Sequence, residues 1–112
     1  MEVKVKTRYV RITPRKMRLV SDLVRGQMVG DAINTLKFTT KSGAKILYKA
    51  LMSAVANAET KGKGNVDVDN LYVKKVWVDE GPTMKRFLPR AQGRATTVRK
   101  RISHLNVILD EK

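Results

Sequence analysis

Residues 81–104 read GPTMKRFLPRAQGRATTVRKRISH, and the way this stretch folds decides the architecture of the chain. It lies between two alternating apolar segments but has no core pattern of its own. Thr96, Thr97 and Val98 favour extended backbone, and Ala91-Gln92-Gly93 supplies a turn in which Gly93 can take a positive φ. The stretch is therefore expected to form a β-hairpin with roughly ten residues a side, a reach of roughly 30 Å at ~3.4 Å per residue. A small core cannot cover such a projection. It carries Lys85, Arg86, Arg90, Arg94, Arg99, Lys100 and Arg101 and no acid. Arginine outnumbers lysine there, and its planar fork suits bidentate phosphate contacts and stacking on bases. Two-stranded hairpins are marginal in water, so the order of this arm is expected to depend on a partner. A solvated charged loop explains neither the missing acids nor the Gly-Pro and Gly punctuation.

The whole chain shares the bias. Its 112 residues hold 24 Lys+Arg against 10 Asp+Glu, a net charge of +14 and a pI near 10.5. That excess repels itself in a folded state and is tolerable where a polyanion supplies countercharge. A second basic block occupies residues 1–18, with Lys4, Lys6, Arg8, Arg11, Arg15, Lys16 and Arg18 against a single Glu2. The two blocks together hold more than half of all basic residues. The acids gather elsewhere, chiefly at Asp67, Asp69, Asp79, Glu80, Asp110 and Glu111. One strongly basic side or projection follows, rather than a uniform coat. A membrane surface is a poor alternative, because the chain lacks a long apolar run and its aromatic content is only 5%. The residues after Met1 have no signal-peptide or transit pattern. With Cys 0, the chain has no disulfide framework, thiolate nucleophile or zinc knuckle. Its length fits one domain of residues 1–112, with 81–104 as the arm.

Residues 2–12 alternate with a phase shift, as a kinked strand does. Thr13-Pro14 opens a helix, a hydroxyl cap followed by proline where a missing N–H costs nothing. Met17, Val20 and Val24, beside Leu19 and Leu23, form its apolar face, and Gly26 ends it. A short helix is expected over residues 31–37 with Ile33 and Leu36 inward and Asp31 at its positive end. A third helix, capped by Thr39 or Thr40 and stopped by Gly62 and Gly64, buries Ala44, Leu47, Leu51, Ala54, Val55 and Ala58. Its small residues Ser53, Ala54, Ala56 and Ala58 admit a close neighbour, which makes it the central helix. Residues 71–78 form a strand whose slip at Lys74-Lys75 predicts a β-bulge, and Leu105, Val107 and Leu109 alternate in a last strand. The fold class is α+β, with helices on one face of an antiparallel sheet.

Catalytic constellations are missing. Lys61-Gly62-Lys63-Gly64-Asn65 faintly suggests a phosphate loop, but it follows a helix, lacks Walker spacing and is better read as a helix stop. His104 is the only histidine, too few for a metal cluster, and suits a hydrogen-bonded structural role or an RNA contact. Asp67 and Asp69 read as edge charges on a strand. Trp77 and Tyr72 have faces that can stack on bases, yet packing on a sheet is the preferred reading. Arg11, Arg15 and Arg18 recur at helical spacing near a helix start, where backbone N–H groups favour phosphate; an ordinary solvated helix face is equally compatible. The i,i+4 row Lys41, Lys45, Lys49 is weaker still, since most such rows face solvent.

The blocks YVRITPRKMRLVSDLVRG, SAVANAE and DEGPTMKRFLPRAQGRATTVRKRISHLNVIL closely resemble the bacterial large-subunit ribosomal protein twenty-two family, in order and through nearly the whole chain. The resemblance implies three helices on a three-stranded antiparallel sheet with a long protruding β-hairpin. It implies a structural constituent of the large ribosomal subunit, cytoplasmic, with no enzymatic activity, cofactor or metal. The arm residues Lys85, Arg86, Arg99, Lys100 and Arg101 and the N-terminal Arg8, Arg11, Arg15, Lys16 and Arg18 would then hold large-subunit rRNA, with Arg90, Arg94 and His104 as further contacts. The tip, Pro89, Arg90, Ala91, Gln92, Gly93 and Arg94, would line the nascent-peptide tunnel near its constriction, opposite a loop of large-subunit ribosomal protein four. By the same analogy macrolide antibiotics bind nearby, and changes in residues 84–94 alter sensitivity. Neighbouring ribosomal proteins and the nascent peptide are the other expected partners; no membrane and no homo-oligomer is expected. The rival class is a histone-like DNA-bending protein with a basic β-arm and a proline wedge, which dimerises and binds duplex DNA.

Overall fold

A computed structural model of the chain describes residues 2–62, 67–82, 84–89 and 95–111, with 84–89 and 95–100 given as backbone alone. The initial alternation becomes strand β1 (Glu2–Val10), followed by helices α1 (Pro14–Val24), α2 (Val29–Lys37) and α3 (Ser42–Lys61). A 3-10 turn (Val68–Asn70) leads into β2 (Leu71–Glu80), and β3 (Met84–Pro89), β4 (Ala95–Lys100) and β5 (Ser103–Glu111) complete the order.

Three strands pair antiparallel in the order β1-β5-β2, so the last strand lies in the middle. One face presents Val3 and Val10, then Leu105, Val107 and Leu109, then Leu71, Val73, Val76 and Val78, all buried beneath the helices. The α+β class with helices on one face is as expected. The slip in β2 is a bulge at Lys74: Val73 pairs with Leu109 and Lys75 with Ile108, leaving Lys74 as the extra residue. Both valine phases therefore face inward. The kink of β1 is a break in pairing between Thr7 and Val10, where Tyr9 takes φ 58°. The strand ends at Val10, short of the expected residue 12.

Helix α1 starts as expected, with Thr13 extended and Pro14 in the first turn, although the Thr13 side chain makes no capping bond. Gly26, at φ 82°, turns the chain away. Met17, Val20 and Val24 are buried, but Leu19 and Leu23 are 51% and 42% exposed and lie off the core face. Helix α2 begins at Val29, earlier than expected, with Asp31 in its first turn and Leu36 buried. Helix α3 is capped by Lys41 rather than Thr39 or Thr40, without a side-chain bond. Of its expected stripe Ala44, Leu47, Leu51, Ala54 and Ala58 are buried and Val55 is half-buried, and the helix packs on both other helices as well as on β1 and β5. The closest approach is at Gly43, where a Cβ would come 2.8 Å from Met17 Sδ; Ser53 and Ala56 face solvent. Gly62 caps the helix end, and Gly64 lies outside the described residues. Asp67 and Asp69 are not on a strand: Asp67 caps the 3-10 turn, its carboxylate accepting from Asp69 N at 3.0 Å.

The outer edge of β2 is closed by the segment after α1. Gly26 N donates to Val73 O (3.0 Å), Val73 N to Gln27 O (2.9 Å), and Met28 bridges Tyr72. Such cover keeps an edge strand from recruiting another chain. Strands β3 and β4 form a separate two-stranded sheet, from Met84↔Lys100 to Pro89↔Ala95. They follow the β2–β5 pair with one residue of offset: three residues separate Glu80 from Met84, against two between Lys100 and Ser103. The turn residues Arg90, Ala91, Gln92, Gly93 and Arg94 lie outside the described residues. The chain measures 65 × 25 × 16 Å with a radius of gyration of 17.3 Å, against roughly 13 Å for a compact chain of this length.

Candidate nucleic-acid interface

The N-terminal block and the base of the arm are far apart in sequence and meet in space. The start of α1 stands against the end of β2 and the start of β5. Between them is a cleft of about 620 Å³ lined by Thr13, Pro14, Arg15, Lys16, Arg18, Leu19, Glu80 and Arg101. Arg15, Lys16, Arg18 and Arg101 are exposed, and Glu80 is the one acid in the lining. Four cations beside a helix N-terminus make a site suited to phosphate.

Arg18 has a second role. Its Nη2 donates to Val78 O at 3.1 Å, and Arg25 Nη2 donates to Val76 O at 2.8 Å while Nη1 pairs with Asp22 at 2.5 Å. Two guanidinium groups, one on α1 and one just past its end, thus serve carbonyls along β2. Spacing along the helix gives no sign of this.

Arg8 and Arg11 lie in a neighbouring groove between β1 and α3, about 480 Å³, whose lining includes Lys6, Lys49 and Ser53. Lys49 comes from the lysine row that seemed an ordinary solvent face, so part of that row joins the basic block. His104 belongs to β5, opposite Asp79, and accepts a bond from the backbone of Tyr9. That fits the first of the two roles expected for it, a hydrogen-bonded structural one. At the foot of the arm Gly81 N donates to Ile102 O at 2.7 Å. A Cβ on Gly81 would lie 3.0 Å from Ile102 O and 3.1 Å from His104 Nε2, so the root is built for glycine.

In the arm, Lys85 is paired with Arg99, Arg86 with Val98 and Met84 with Lys100. Like charges at opposed positions, as at Lys85 and Arg99, are disfavoured in a sheet without a counterion. Pro89 ends β3.

Glu2 and Asp110 lie at the other end of the sheet. Lys74 pairs with the Glu2 carboxylate and lies 3.5 Å from Asp110. The hydrogen bond and charge of Lys74 hold Glu2 below its ordinary value, and the Glu111 N–H chiefly does so for Asp110. Acids thus stand at both ends of the sheet, Asp79 and Glu80 beside the cations of the root and Glu2 and Asp110 around Lys74 at the other end. Among the described residues no group of three or more His, Cys, Asp or Glu is placed to hold a metal ion, and no helix is long and apolar enough to cross a membrane.

Comparison with known proteins shows which family the sequence matches. The family model described as ribosomal protein L22p/L17e matches residues 5–110. The chain is 55% identical over 112 residues to a large ribosomal subunit protein uL22 of Syntrophotalea carbinolica, covering 100% of both chains. It is 56% identical over 112 residues to the protein of that name in Bdellovibrio bacteriovorus, again covering 100% of both. With the one in Myxococcus xanthus it shares 51% over 111 residues, covering 99% of this chain and 97% of the relative.

Proposed function

Because the chain belongs to the ribosomal protein L22p/L17e family, we propose that it is a structural constituent of the large ribosomal subunit that binds and organises large-subunit rRNA. It performs no catalysis. The observation that carries the rRNA reading is the junction of Arg15, Lys16 and Arg18 with Arg101 at the root of a two-stranded basic extension. Residues 81–104 act as the arm of one unit spanning residues 1–112. Ser103 and His104 anchor it in β5, and the elongated shape supports a projection. Lys85, Arg86, Arg99 and Lys100 then contact rRNA along the arm, with Arg8, Arg11 and the root arginines on the body. The tip, residues 89–94, lines the nascent-peptide tunnel, facing the passing chain and ribosomal protein four.

The test is binding of the full chain to large-subunit rRNA and to duplex DNA, together with sedimentation alongside large subunits washed in high salt. Preference for the rRNA and retention on washed subunits are expected. With about six phosphate contacts, affinity falls roughly 10³-fold between 50 and 200 mM salt. Tight duplex-DNA binding by a stable dimer, with no rRNA preference, overturns the proposal.

A further inference from the structure

The helices cover one face of the sheet, and no described element packs over the other. Its middle carries Lys4 and Lys6 from β1, Asn106 and Ile108 from β5, and Lys75 and Trp77 from β2. The register sets these in two rows, Lys4–Ile108–Lys75 and Lys6–Asn106–Trp77. A cleft of about 310 Å³ runs between the β1 lysines and Trp77, floored by Asn106 and Ile108. Trp77, expected to serve sheet packing, is instead 39% exposed here. Ile108 and Asn106 are each 8% exposed, so the floor is firm. Asn106 Nδ2 is fixed by Asp79 Oδ2 at 3.0 Å.

The bulge shapes this surface. It puts Lys74 and Lys75 in succession on the open side, and Lys74 is engaged by Glu2 and Asp110. Lys75, Lys4 and Lys6 are exposed and none is within ion-pair distance of an acid among the described residues, although the charge of Lys4 is felt at Glu2. Asp79 at one margin is hydrogen-bonded to Asn106, and Glu2 and Asp110 at the other are paired with Lys74, so the middle is left net positive. Protein interfaces are depleted in lysine and rich in apolar contact. An exposed aromatic ring among cations is instead how sheet surfaces hold unpaired nucleotides, the base stacked and the backbone neutralised.

We infer that this face is a second RNA site, taking an unpaired nucleotide of the rRNA with its base on Trp77 and flanking phosphates on Lys4, Lys6 and Lys75. It is separate from the arm and its root, and it rests on the rRNA-binding reading above.

Trp77 is the only tryptophan in the chain, so its fluorescence reports this face alone. The full chain is titrated with a large-subunit rRNA transcript, and then with an oligouridylate as an unpaired probe. Emission is expected to fall with both. Trp77→Leu, at a partly exposed position, should retain the fold and weaken rRNA binding by between about 5- and 100-fold. The combined Lys4→Ala, Lys6→Ala and Lys75→Ala variant should keep the tryptophan, lower the salt slope by about two and abolish quenching by the oligouridylate. If rRNA binds with tryptophan emission and Trp77→Leu affinity both unchanged, the second site is refuted while the rRNA reading stands. If the parent chain binds no rRNA, both fall. Quenching by a ribosomal protein and not by RNA would make this a protein-docking face and also overturn the inference.

Discussion

Tyr9 donates its backbone N–H to His104 Nδ1 over 3.1 Å, and its ring meets the imidazole edge-on with centroids 5.2 Å apart and planes at 87°. The bond joins the irregular end of β1 to the strand carrying the arm root, and it requires a lone pair on Nδ1. Tyr9 meanwhile holds φ 58°, a conformation that a bulky residue adopts at a cost.

The strain and the bond are separable by substitution. Tyr9→Val, β-branched at a positive φ, is expected to be less stable than Tyr9→Gly by about 1–2 kcal/mol, although both lose the ring contact. His104→Leu removes the acceptor and should cost about 1 kcal/mol. Urea unfolding of the variants checks both orderings. Equal stability of the valine and glycine forms would mean that Tyr9 is not held in this conformation.

Gly81→Ala probes the root directly. The added Cβ presses on Ile102 O and His104 Nε2, so the bond from Gly81 N should lengthen, at a cost of about 1 kcal/mol. Deleting residues 84–100 is expected instead to leave the fold intact, because the helices and the three-stranded sheet hold the core. Near-UV circular dichroism and thermal melting of the deletion variant decide this. Loss of cooperative melting would place the segment in the core.

Affinity for rRNA should respond to the junction cations and not to a distant one. Replacing Arg15 and Arg101 with alanine is expected to lower the salt slope by about 1.4–1.8, at 0.7–0.9 per lost phosphate contact. Lys37→Ala, on the exposed end of α2, should leave it unchanged. Filter binding across a salt series measures the difference.

On the acid side, Glu2 and Asp110 have lowered pKa values in the fold. A carboxyl depressed in the native state stabilises above its unfolded value and loses that contribution as pH falls through its lowered folded value. Lys74→Gln removes the leading cause for Glu2 but leaves the Glu111 N–H on Asp110. The loss of stability from pH 5 to pH 2 should therefore become shallower without vanishing. All three groups are solvent-accessible, so 1 M salt should narrow the difference between parent and variant. Denaturant midpoints measured over that range give the answer.

The elements were legible where one residue spacing had one physical meaning. Val73 and Val76 cannot share a face without an extra residue between them, so the bulge at Lys74 was readable. The buried stripe of α3 was readable too, because it follows a single helical period. Leu19 and Leu23 misled because α1 carries apolar residues on more than one side, and the pattern alone does not say which side meets the sheet. Thr39 and Thr40 looked like caps, but the helix starts beyond both. The bonds from Arg18 and Arg25 to β2 carbonyls span 60 and 51 residues of sequence and leave no local signature. The exposure of Trp77 depends on the absence of a covering layer, which no strand pattern records. Of the site, charge clustering identified the two basic blocks, while their meeting at Arg15 and Arg101 required the fold.

The central position of β5 has a consequence for synthesis. This strand is translated after the other described elements, yet both neighbours build their ladders on it: Glu2 stands opposite Asp110, and Leu71 opposite Glu111. Until those residues emerge, β1 and β2 are apolar strands with no ladder between them. The basic root is equally unfinished, because Arg101 reaches Arg15 only when β5 is seated. The chain therefore cannot fold piecemeal as it is made. On the proposed reading, the surface that would dock on RNA is completed in one late step.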